Sequence, residues 1–290
     1  MLKTIKTKTI LSRLNNNADT WFGTSYSMNL YRGCQHNCIY CDSRSKVYQI
    51  ENFSDILIKE NAIELLEKEL SRKRVKGTIG FGSMNDPYMP IENDIKLTRK
   101  ALQIILKYRF PIHIITKSIL ILRDIDILKK ISQIYCCVSI TITTPDDEIA
   151  KKIEPDAPSS SLRFEAIKKL NQSGIYAGIT LMPILPYITD KKEHIIEIIE
   201  KAKLADAKYI LFAPAVTLRE GQREYFYNQL NKINPELRKT YEQKAGNNYI
   251  FTPINVKELS TVFYETCKKL EMPTKITFFK DNKPEQLKLF

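Results

Sequence analysis

The sequence of 290 residues has little glycine and proline, no long apolar run and few cysteines. Because 43% of the residues are hydrophobic and only 9 are Gly and 13 are Pro, a disordered or low-complexity chain is excluded. No stretch of about 18 apolar residues occurs, so no membrane-spanning helix is expected. Residues 1–14 are basic but lack the apolar centre and cleavage site of a signal peptide. We therefore expect a cytoplasmic protein without a membrane contact.

The six cysteines do not have the spacing of a disulfide framework. Three lie within eight residues, two are adjacent and one stands alone: Cys34, Cys38 and Cys41, then Cys136 and Cys137, then Cys267. In a reducing compartment, such a close group of thiols indicates a metal site more often than a structural bridge.

Positive charge predominates, with 45 Lys and Arg against 33 Asp and Glu and a formal net charge of +12. A positive field favours polyanions, so nucleic acid is a predicted partner. The basic residues are spread along the chain, however, and its richness in Lys, Ile and Asn also fits codon bias. Charge alone leaves these two explanations open.

From about residue 25, short apolar segments alternate with amphipathic segments of 3.6-residue period. The predicted strands are Tyr26–Tyr31, Gly77–Gly82, Ile112–Thr116, Cys136–Ile142, Tyr176–Met182 and Tyr209–Ala213. The predicted helices are Ser54–Arg72, Asp94–Tyr108, Asp124–Lys130, Ser159–Ser173 and Asp190–Leu204. Six β-then-α repeats predict an α/β fold, an open partial (β/α)6 TIM-like barrel whose active site lies at the carboxyl ends of the strands.

After about residue 215 the pattern becomes polar, aromatic and helical, over Leu218–Lys244 and Asn255–Leu270. We therefore expect three parts: an N-terminal extension (1–24), a core barrel (25–215), and a helical C-terminal extension with a tail (216–290).

The first three cysteines have the spacing C-x3-C-x2-C, directly after the first predicted strand. Three thiolates this close can surround one compact centre, and thiolates select zinc or iron–sulfur clusters. A closed zinc site needs a fourth ligand, and His36, which lies between two of the cysteines, is poorly placed to supply it. Three ligands on a four-iron cluster instead leave one iron open. We favour an iron–sulfur cluster, with zinc and plain buried thiols as the alternatives.

With Tyr40 before the last cysteine, the motif resembles that of the radical S-adenosylmethionine (SAM) superfamily. In detail it is closest to the spore photoproduct lyase-like branch, often labelled DNA repair photolyase. The resemblance is carried by RGCQHNCIYCD, GSMNDPYMPIE, ITKS, VSIT, IEPDAPSSSLR and GITLMPILP, within residues 26–215.

The resemblance implies that Cys34, Cys38 and Cys41 bind three irons of a [4Fe–4S] cluster, and that the amino and carboxylate groups of SAM bind the fourth. It further implies that SAM is cleaved reductively to a 5′-deoxyadenosyl radical, which takes a hydrogen atom from a substrate. The electron would come from an external donor such as flavodoxin or ferredoxin.

The resemblance also assigns SAM contacts at the other strand ends. Ser83 and Asp86 are matched to the methionine amino group, although Ser83 to Asp86 also fits an ordinary Asx turn before proline. Lys117 is matched to the SAM carboxylate or ribose, with a solvated rim charge as the alternative. Tyr40 is included with these cofactor-binding residues.

Three further contacts come from later segments. Ser139 and Thr141 share one face of a strand, and the resemblance assigns a SAM contact to Ser139, whereas hydroxyl-to-backbone bonding is the alternative. Arg163 is matched to the SAM carboxylate, although it could pair with an acidic neighbour on the surface. Met182 is expected to line the adenine site, or else to fill the core.

The sequence departs from the lyases at two positions. Where they carry a hydrogen-donating Cys before the serine matched to Ser83, this chain has Gly82, and where they carry a Tyr after the last cluster cysteine it has Asp42. Cys136 and Cys137 lie at the start of a strand, far from the chemistry, and Cys267 lies in the helical C-terminal segment. We therefore expect no repair of spore photoproduct.

The C-terminal segment Gln286–Phe290 resembles the short peptide by which bacterial replication proteins bind the sliding clamp. A hydrophobic end folded back on the barrel is the alternative.

The leading hypothesis for the whole chain is a radical SAM enzyme whose substrate is unidentified and could be a nucleic acid or a peptide. The other hypothesis is a non-catalytic zinc or iron–sulfur protein that binds nucleic acid.

Overall fold

The computed structural model describes residues 3–14, 21–50 and 52–281. The segment Gln286–Phe290, predicted to bind a sliding clamp, lies outside the described residues. Within these ranges, every helix is too short or too polar to cross a membrane.

The strands are β1 (Lys3–Ile5), β2 (Leu11–Arg13), β3 (Tyr26–Met28), β4 (Tyr31–Arg32), β5 (Leu57–Lys59), β6 (Ile79–Phe81), β7 (Ile112–Thr116), β8 (Cys136–Thr141), β9 (Tyr176–Leu181), β10 (Ile210–Phe212), β11 (Val216–Thr217) and β12 (Ile250–Phe251). The α-helices are α1 (Ala62–Ser71), α2 (Glu92–Ile95), α3 (Leu97–Lys107), α4 (Ile125–Ile131), α5 (Asp147–Ile153), α6 (Ser160–Gln172), α7 (Lys192–Leu204), α8 (Gln222–Ile233), α9 (Pro235–Ala245) and α10 (Val256–Lys269). Short 3₁₀ helices cover Asp42–Arg44, Lys46–Tyr48 and Ile119–Asp124.

The main sheet has the order β10-β9-β8-β7-β6-β3-β2, in which β3 to β10 pair parallel and β2 pairs antiparallel with β3. Among the described residues β2 and β10 form its two edges, so the sheet does not close. All six residues of β8 are buried, as expected for a central parallel strand covered on both faces. The predicted open, partial (β/α)6 barrel is confirmed, with an added antiparallel strand at one edge.

The helix predicted over Ser54–Arg72 is wrong in its first part. Leu57–Lys59 is β5, which pairs with β1 on one side and with β4 on the other, and the helix begins only at Ala62. Strand β1 is far away along the chain, so the local 3.6-residue pattern could not reveal this pairing. The helix predicted over Asp94–Tyr108 is also interrupted, because Lys96 has φ +53° and separates α2 from α3.

Segments on both sides of the predicted core barrel pack against it. Ile10 and Leu11 belong to the main hydrophobic core. At the other end α10 packs against α7, and the Phe263 ring stacks on Phe212 with centroids 4.4 Å apart. Helices α8 and α9 share a second hydrophobic cluster with Tyr40, so they cover the loop that carries the first three cysteines. The division at residues 24/25 and 215/216 stays a prediction.

Candidate functional site

The three-cysteine loop begins directly after β4 and depends on a glycine. Gly33 has φ +82°, and a Cβ there would lie 2.5 Å from the carbonyl oxygen of Phe53, so a side chain does not fit. The amide of Cys34 donates to the same carbonyl at 3.2 Å. At the tip of the loop Asn37, with φ +52°, donates from Nδ2 to Asp156 Oδ2 at 2.7 Å. These contacts fix the backbone that carries the first two thiols.

Cys34, Cys38 and Cys41 are free thiols that line one small cavity of about 110 Å³. Burial raises the pKa of Cys34 to about 12 and also raises the pKa of Cys38. Such thiols become thiolates when a bound cation compensates the buried negative charge. The donor set therefore fits a metal centre that supplies its own positive charge.

The grouping of the thiols differs from that of a closed single-ion site. Within the described ranges, no three His, Cys, Asp or Glu side chains are placed to hold one metal ion. Tetrahedral zinc needs sulfurs about 3.8 Å apart, given Zn–S bonds of about 2.3 Å. In a four-iron cluster each cysteine binds a different iron, so the ligand sulfurs are farther apart. Three cysteines around a shared cavity therefore fit the cluster better than zinc.

His36, the possible fourth zinc ligand, is already engaged. Its Nε2 lies 3.2 Å from Asp86 Oδ2, and its Nδ1 lies 3.2 Å from the carbonyl oxygen of Asp156. Both ring nitrogens thus face oxygen atoms, and the side chain supports the loop from behind.

A larger cavity of about 790 Å³ adjoins the small one at the carboxyl ends of β6 to β9. The lining residues common to both cavities are Cys38, Cys41, Ser43, Gly82, Ser83, Met84, Ile115, Lys117 and Thr141. Its volume is within the range of about 300–1,000 Å³ for ligand pockets. Five of the seven predicted SAM contacts line one of the two cavities: Tyr40, Ser83, Asp86, Lys117 and Met182.

Asp86 lines the small cavity, but its carboxylate is used by the fold. It accepts three hydrogen bonds of 2.6–2.8 Å, from Tyr88 N, Thr116 Oγ1 and Lys117 N. Burial acts to raise the pKa of Asp86, but His36 and these hydrogen bonds lower it to about 2. Ser83 is less constrained, since its Oγ lies 3.0 Å from Ser27 Oγ and faces both cavities. Asp86 therefore orients the strand end, and Ser83 presents a polar group there.

A buried ionic network centred on Glu154 lies behind the cavities; we define the Glu154 network as Tyr40, Lys117, Thr143, Glu154 and Arg163. The Glu154 carboxylate accepts from the Tyr40 hydroxyl and from Thr143 Oγ1, the latter at 3.1 Å. It lies 2.5 Å from Arg163 Nη1 and 4.0 Å from Lys117 Nζ. Burial raises the pKa of Glu154, but the two cations outweigh it and leave the pKa lowered.

Arg163 is fully buried and lines neither cavity. Besides Glu154 it donates to the carbonyl oxygens of Pro158 and Thr141, at 2.8 and 3.0 Å. The neighbour considered in the sequence is thus its partner, but in the interior rather than on the surface. The lysine of this network, Lys117, lines both cavities instead. A SAM carboxylate contact from Arg163 stays a prediction that this placement does not favour.

Ser139, the other predicted contact outside the cavities, is held in a buried chain of polar groups. Its Oγ lies 2.8 Å from His113 Nε2 and 2.8 Å from the Tyr209 hydroxyl. Thr141, two residues further along β8, lines both cavities and has its Oγ1 2.8 Å from Thr180 Oγ1. The hydroxyl that this strand presents to the cavities is therefore that of Thr141.

The two positions at which the sequence departs from the lyases both line the large cavity. Gly82 has φ +89°, and a Cβ there would lie 2.1 Å from the carbonyl oxygen of Ile115, so no side chain fits this backbone. Asp42 accepts from Thr217 Oγ1 at 2.8 Å and lies 3.1 Å from Arg219 Nε. It therefore connects the end of the three-cysteine loop to the C-terminal segment.

Some residues of the site carry no sequence signal of their own. Glu154 is the acidic neighbour expected to pair with Arg163 at the surface, because one acidic residue outside a recognisable motif does not reveal its burial. Trp21, the single tryptophan of the chain, is 46% exposed and lines the large cavity, but its segment showed no pattern.

Comparisons with known proteins identify the family and the fold. The model of the Radical SAM superfamily matches residues 28–202, more than half of the chain. An uncharacterised protein of Methanocaldococcus jannaschii is 40% identical over 171 residues, which cover 58% of this chain and 63% of that protein. An uncharacterised protein of Mycobacterium tuberculosis is 26% identical over 245 residues, or 81% of this chain and 71% of that protein.

Among solved structures, spore photoproduct lyase complexed with dinucleoside spore photoproduct has a similar fold. Its TM-score is 0.68 at 15% identity, with 92% of this chain and 78% of that chain covered. A mutant of the same lyase is described with bound AdoMet. At this identity the likeness concerns the fold.

Proposed function

We propose that this chain, which belongs to the radical SAM superfamily, binds a [4Fe–4S] cluster through Cys34, Cys38 and Cys41 and binds SAM in the adjoining large cavity. The observation that carries the proposal is the meeting of three free thiols with the polar ends of parallel strands at two adjoining cavities. When bound, the two groups supply reductive cleavage of SAM and a 5′-deoxyadenosyl radical for hydrogen abstraction.

The residues of the chain position and enclose these groups. Ser83 and Lys117 present a hydroxyl and an ammonium to both cavities, which suits the amino and carboxylate ends of a methionine moiety. Tyr40 and Met182 add apolar surface to the large cavity, where an adenine ring would lie. The helices α8 and α9 cover the three-cysteine loop and exclude water from one side.

We further propose that the substrate is a nucleic acid or a part of one. The net charge of +12 supports this proposal, because a positive field attracts polyanions. The similar fold of an enzyme described with a dinucleoside lesion adds support by analogy. We also propose a cytoplasmic location and an external electron donor. The segment Gln286–Phe290 remains a predicted clamp-binding peptide, and a pull-down with a bacterial clamp can test that prediction.

Anaerobic reconstitution tests the proposed function. The wild-type chain should take up about four irons and four sulfides and, once reduced, form 5′-deoxyadenosine from SAM. Cys38→Ala should lose both properties. Cys136→Ala is the matched control, since Cys136 is an equally buried thiol that lines neither cavity, and it should keep them.

Two outcomes would contradict the proposal. Stoichiometric zinc with no sulfide would indicate the metal-binding alternative. A complete cluster that yields no 5′-deoxyadenosine would indicate a non-catalytic iron–sulfur protein that binds nucleic acid.

A further inference from the structure

A separate basic pocket of about 440 Å³ lies at the opposite end of β3 and β6 from the three-cysteine loop. We define the basic pocket by its lining residues: Arg13, Ser25, Tyr26, Lys73, Arg74, Val75, Lys76 and Gly77. Four of these eight residues are cationic and none is acidic. The pocket shares no residue with either cavity described above.

Within the described ranges, acidic side chains do not pair with the cations of this pocket. Among the residues that the structure describes, Arg13, Lys73, Arg74 and Lys76 form no ion pair within 4.0 Å. Burial lowers the pKa of Lys76, and Asp281 acts in the opposite direction without restoring it. Four like charges in one concavity repel one another unless an anion is bound.

Both lysines of the pocket are held in place by neutral groups. Lys73 Nζ lies 4.3 Å from the centre of the Tyr26 ring. Lys76 Nζ lies 4.2 Å from the Phe110 ring centre and donates to the carbonyl oxygen of Tyr108 at 2.8 Å. Such contacts order the long side chains without cancelling their charge, which lowers the entropy lost when an anion binds.

The floor of the pocket is built by a close approach of two segments, one just before β3 and one just before β6. A Cβ at Gly77 would lie 2.6 Å from Ser25 Oγ, so the chain has room only for glycine there. On the cross-strand pair β2–β3, Arg13 lies opposite Tyr26. Arg13 and Tyr26 thus belong to the sheet edge, and the other six lining residues lie in the segments that lead into β3 and β6.

The basic pocket also lies next to the large cavity along the chain. Leu14 and Thr24 line the large cavity, and the adjacent residues Arg13 and Ser25 line the basic pocket. The two concavities therefore adjoin each other along the chain at the edge where β2 pairs with β3. An extended ligand could contact both.

We propose that the basic pocket is a binding site for phosphate groups. Arg and Lys are the side chains that recognise phosphate, Arg through two parallel hydrogen bonds. Four cations exceed the charge of one phosphodiester, so a nucleic-acid backbone with several phosphates is the expected source, and a free nucleotide is the other. The inference deepens the proposed substrate class, but it needs neither cluster nor SAM.

The test compares two charge-matched triple variants of the reconstituted full chain. One is Arg13→Gln, Lys73→Gln and Arg74→Gln; the control is Lys129→Gln, Lys130→Gln and Lys168→Gln, three exposed lysines on α4 and α6. Fluorescence anisotropy with a labelled 12-nucleotide single strand and with a duplex is measured over a series of salt concentrations. AMP, ATP and inorganic phosphate serve as competitors.

The pocket variant should bind at least tenfold more weakly than wild type, and its salt slope should fall by about 2–3, as three lost phosphate contacts imply. The control should stay within about threefold. Competition by millimolar ATP that disappears in the pocket variant, without tight oligonucleotide binding, would support phosphate recognition with the free nucleotide as its source. Equal losses in both variants, or no binding of any phosphate probe to wild type, would overturn the inference.

One readout separates this inference from the proposed function, and a second variant controls for a lost contact within the pocket. Formation of 5′-deoxyadenosine from SAM should be unchanged in the pocket variant, because none of its residues lines the cavities. The double variant Arg13→Gln and Arg74→Gln leaves the Lys73–Tyr26 contact intact and should still weaken binding, so the loss of that contact cannot account for the weaker binding.

Discussion

Replacing Glu154 with Gln should destabilise the metal-free chain far more than removing an exposed ion pair. Gln keeps an oxygen that accepts from the Tyr40 hydroxyl, but it removes the negative charge that lies 2.5 Å from Arg163 Nη1. Because both side chains of that pair are completely buried, the guanidinium would remain as an uncompensated charge. Breaking such a pair costs about 3–5 kcal/mol, a decrease of roughly 5–8 °C in Tm for a chain of this size.

The assay is urea and thermal unfolding of four chains: wild type, Glu154→Gln, Arg163→Met and the double variant. In the double variant no buried charge of the pair remains, so its cost should be smaller than the sum of the single costs by at least about 2 kcal/mol. Glu258→Gln, which removes the exposed Lys192–Glu258 pair, is the control and should leave Tm nearly unchanged. Additive single effects, or a Glu154→Gln variant as stable as the control, would refute the buried-charge argument.

Three further predictions concern the strand ends. Gly82→Cys should destabilise the folded chain by several kcal/mol more than Gly174→Cys does in thermal unfolding, since both positions have positive φ but only Gly82 lacks space for a Cβ. In an activity assay, the wild-type chain should form no thymine from spore photoproduct. Thr141→Val should weaken SAM binding about tenfold in a titration that follows the absorbance spectrum of the unreduced cluster, whereas Ser139→Ala should stay within twofold, and the reverse ranking would contradict the placement of these hydroxyls. In the metal-free chain, the stability that Asp86 contributes should be fully present above about pH 4 and be lost as the pH falls through about 2, because the pKa of Asp86 in the folded state is lowered to about 2. In Asp86→Asn, the free energy of unfolding should therefore fall by about 2 kcal/mol less over this pH range, as measured from acid unfolding curves.

The sequence was informative where one local pattern determines one structural outcome. Each of the six predicted strands contains a parallel strand of the main sheet, because Ile- and Val-rich segments between amphipathic helices have few alternatives. The cysteine spacing placed three thiols in one loop, and the β/α order placed polar strand ends beside that loop. These are short-range patterns combined with one topological rule.

What the sequence could not reveal depends on distant partners. Strand β5 exists because β1 and β4 pair with it, and neither partner can be inferred from the segment itself. The SAM contact was assigned to Ser139 and not to Thr141, because the sequence shows only that both lie on one face of β8 and not which of them reaches a cavity. Arg163 looked like a ligand-binding arginine because the burial of Glu154, its partner, has no local signature.

The backbone at Gly82 has a consequence for the chemistry of this site. A thiol cannot stand at this strand end, because the space that its Cβ would need is filled by the carbonyl group of Ile115. All six cysteines lie within the described residues, and beyond the three of the loop none lines either cavity. A substrate radical formed in the large cavity would thus find no thiol of this chain, outside the three-cysteine loop, to return a hydrogen atom. The hydrogen must then come from 5′-deoxyadenosine, from another side chain or from an external reductant, and each of these routes differs from a lyase that carries its own cysteine donor.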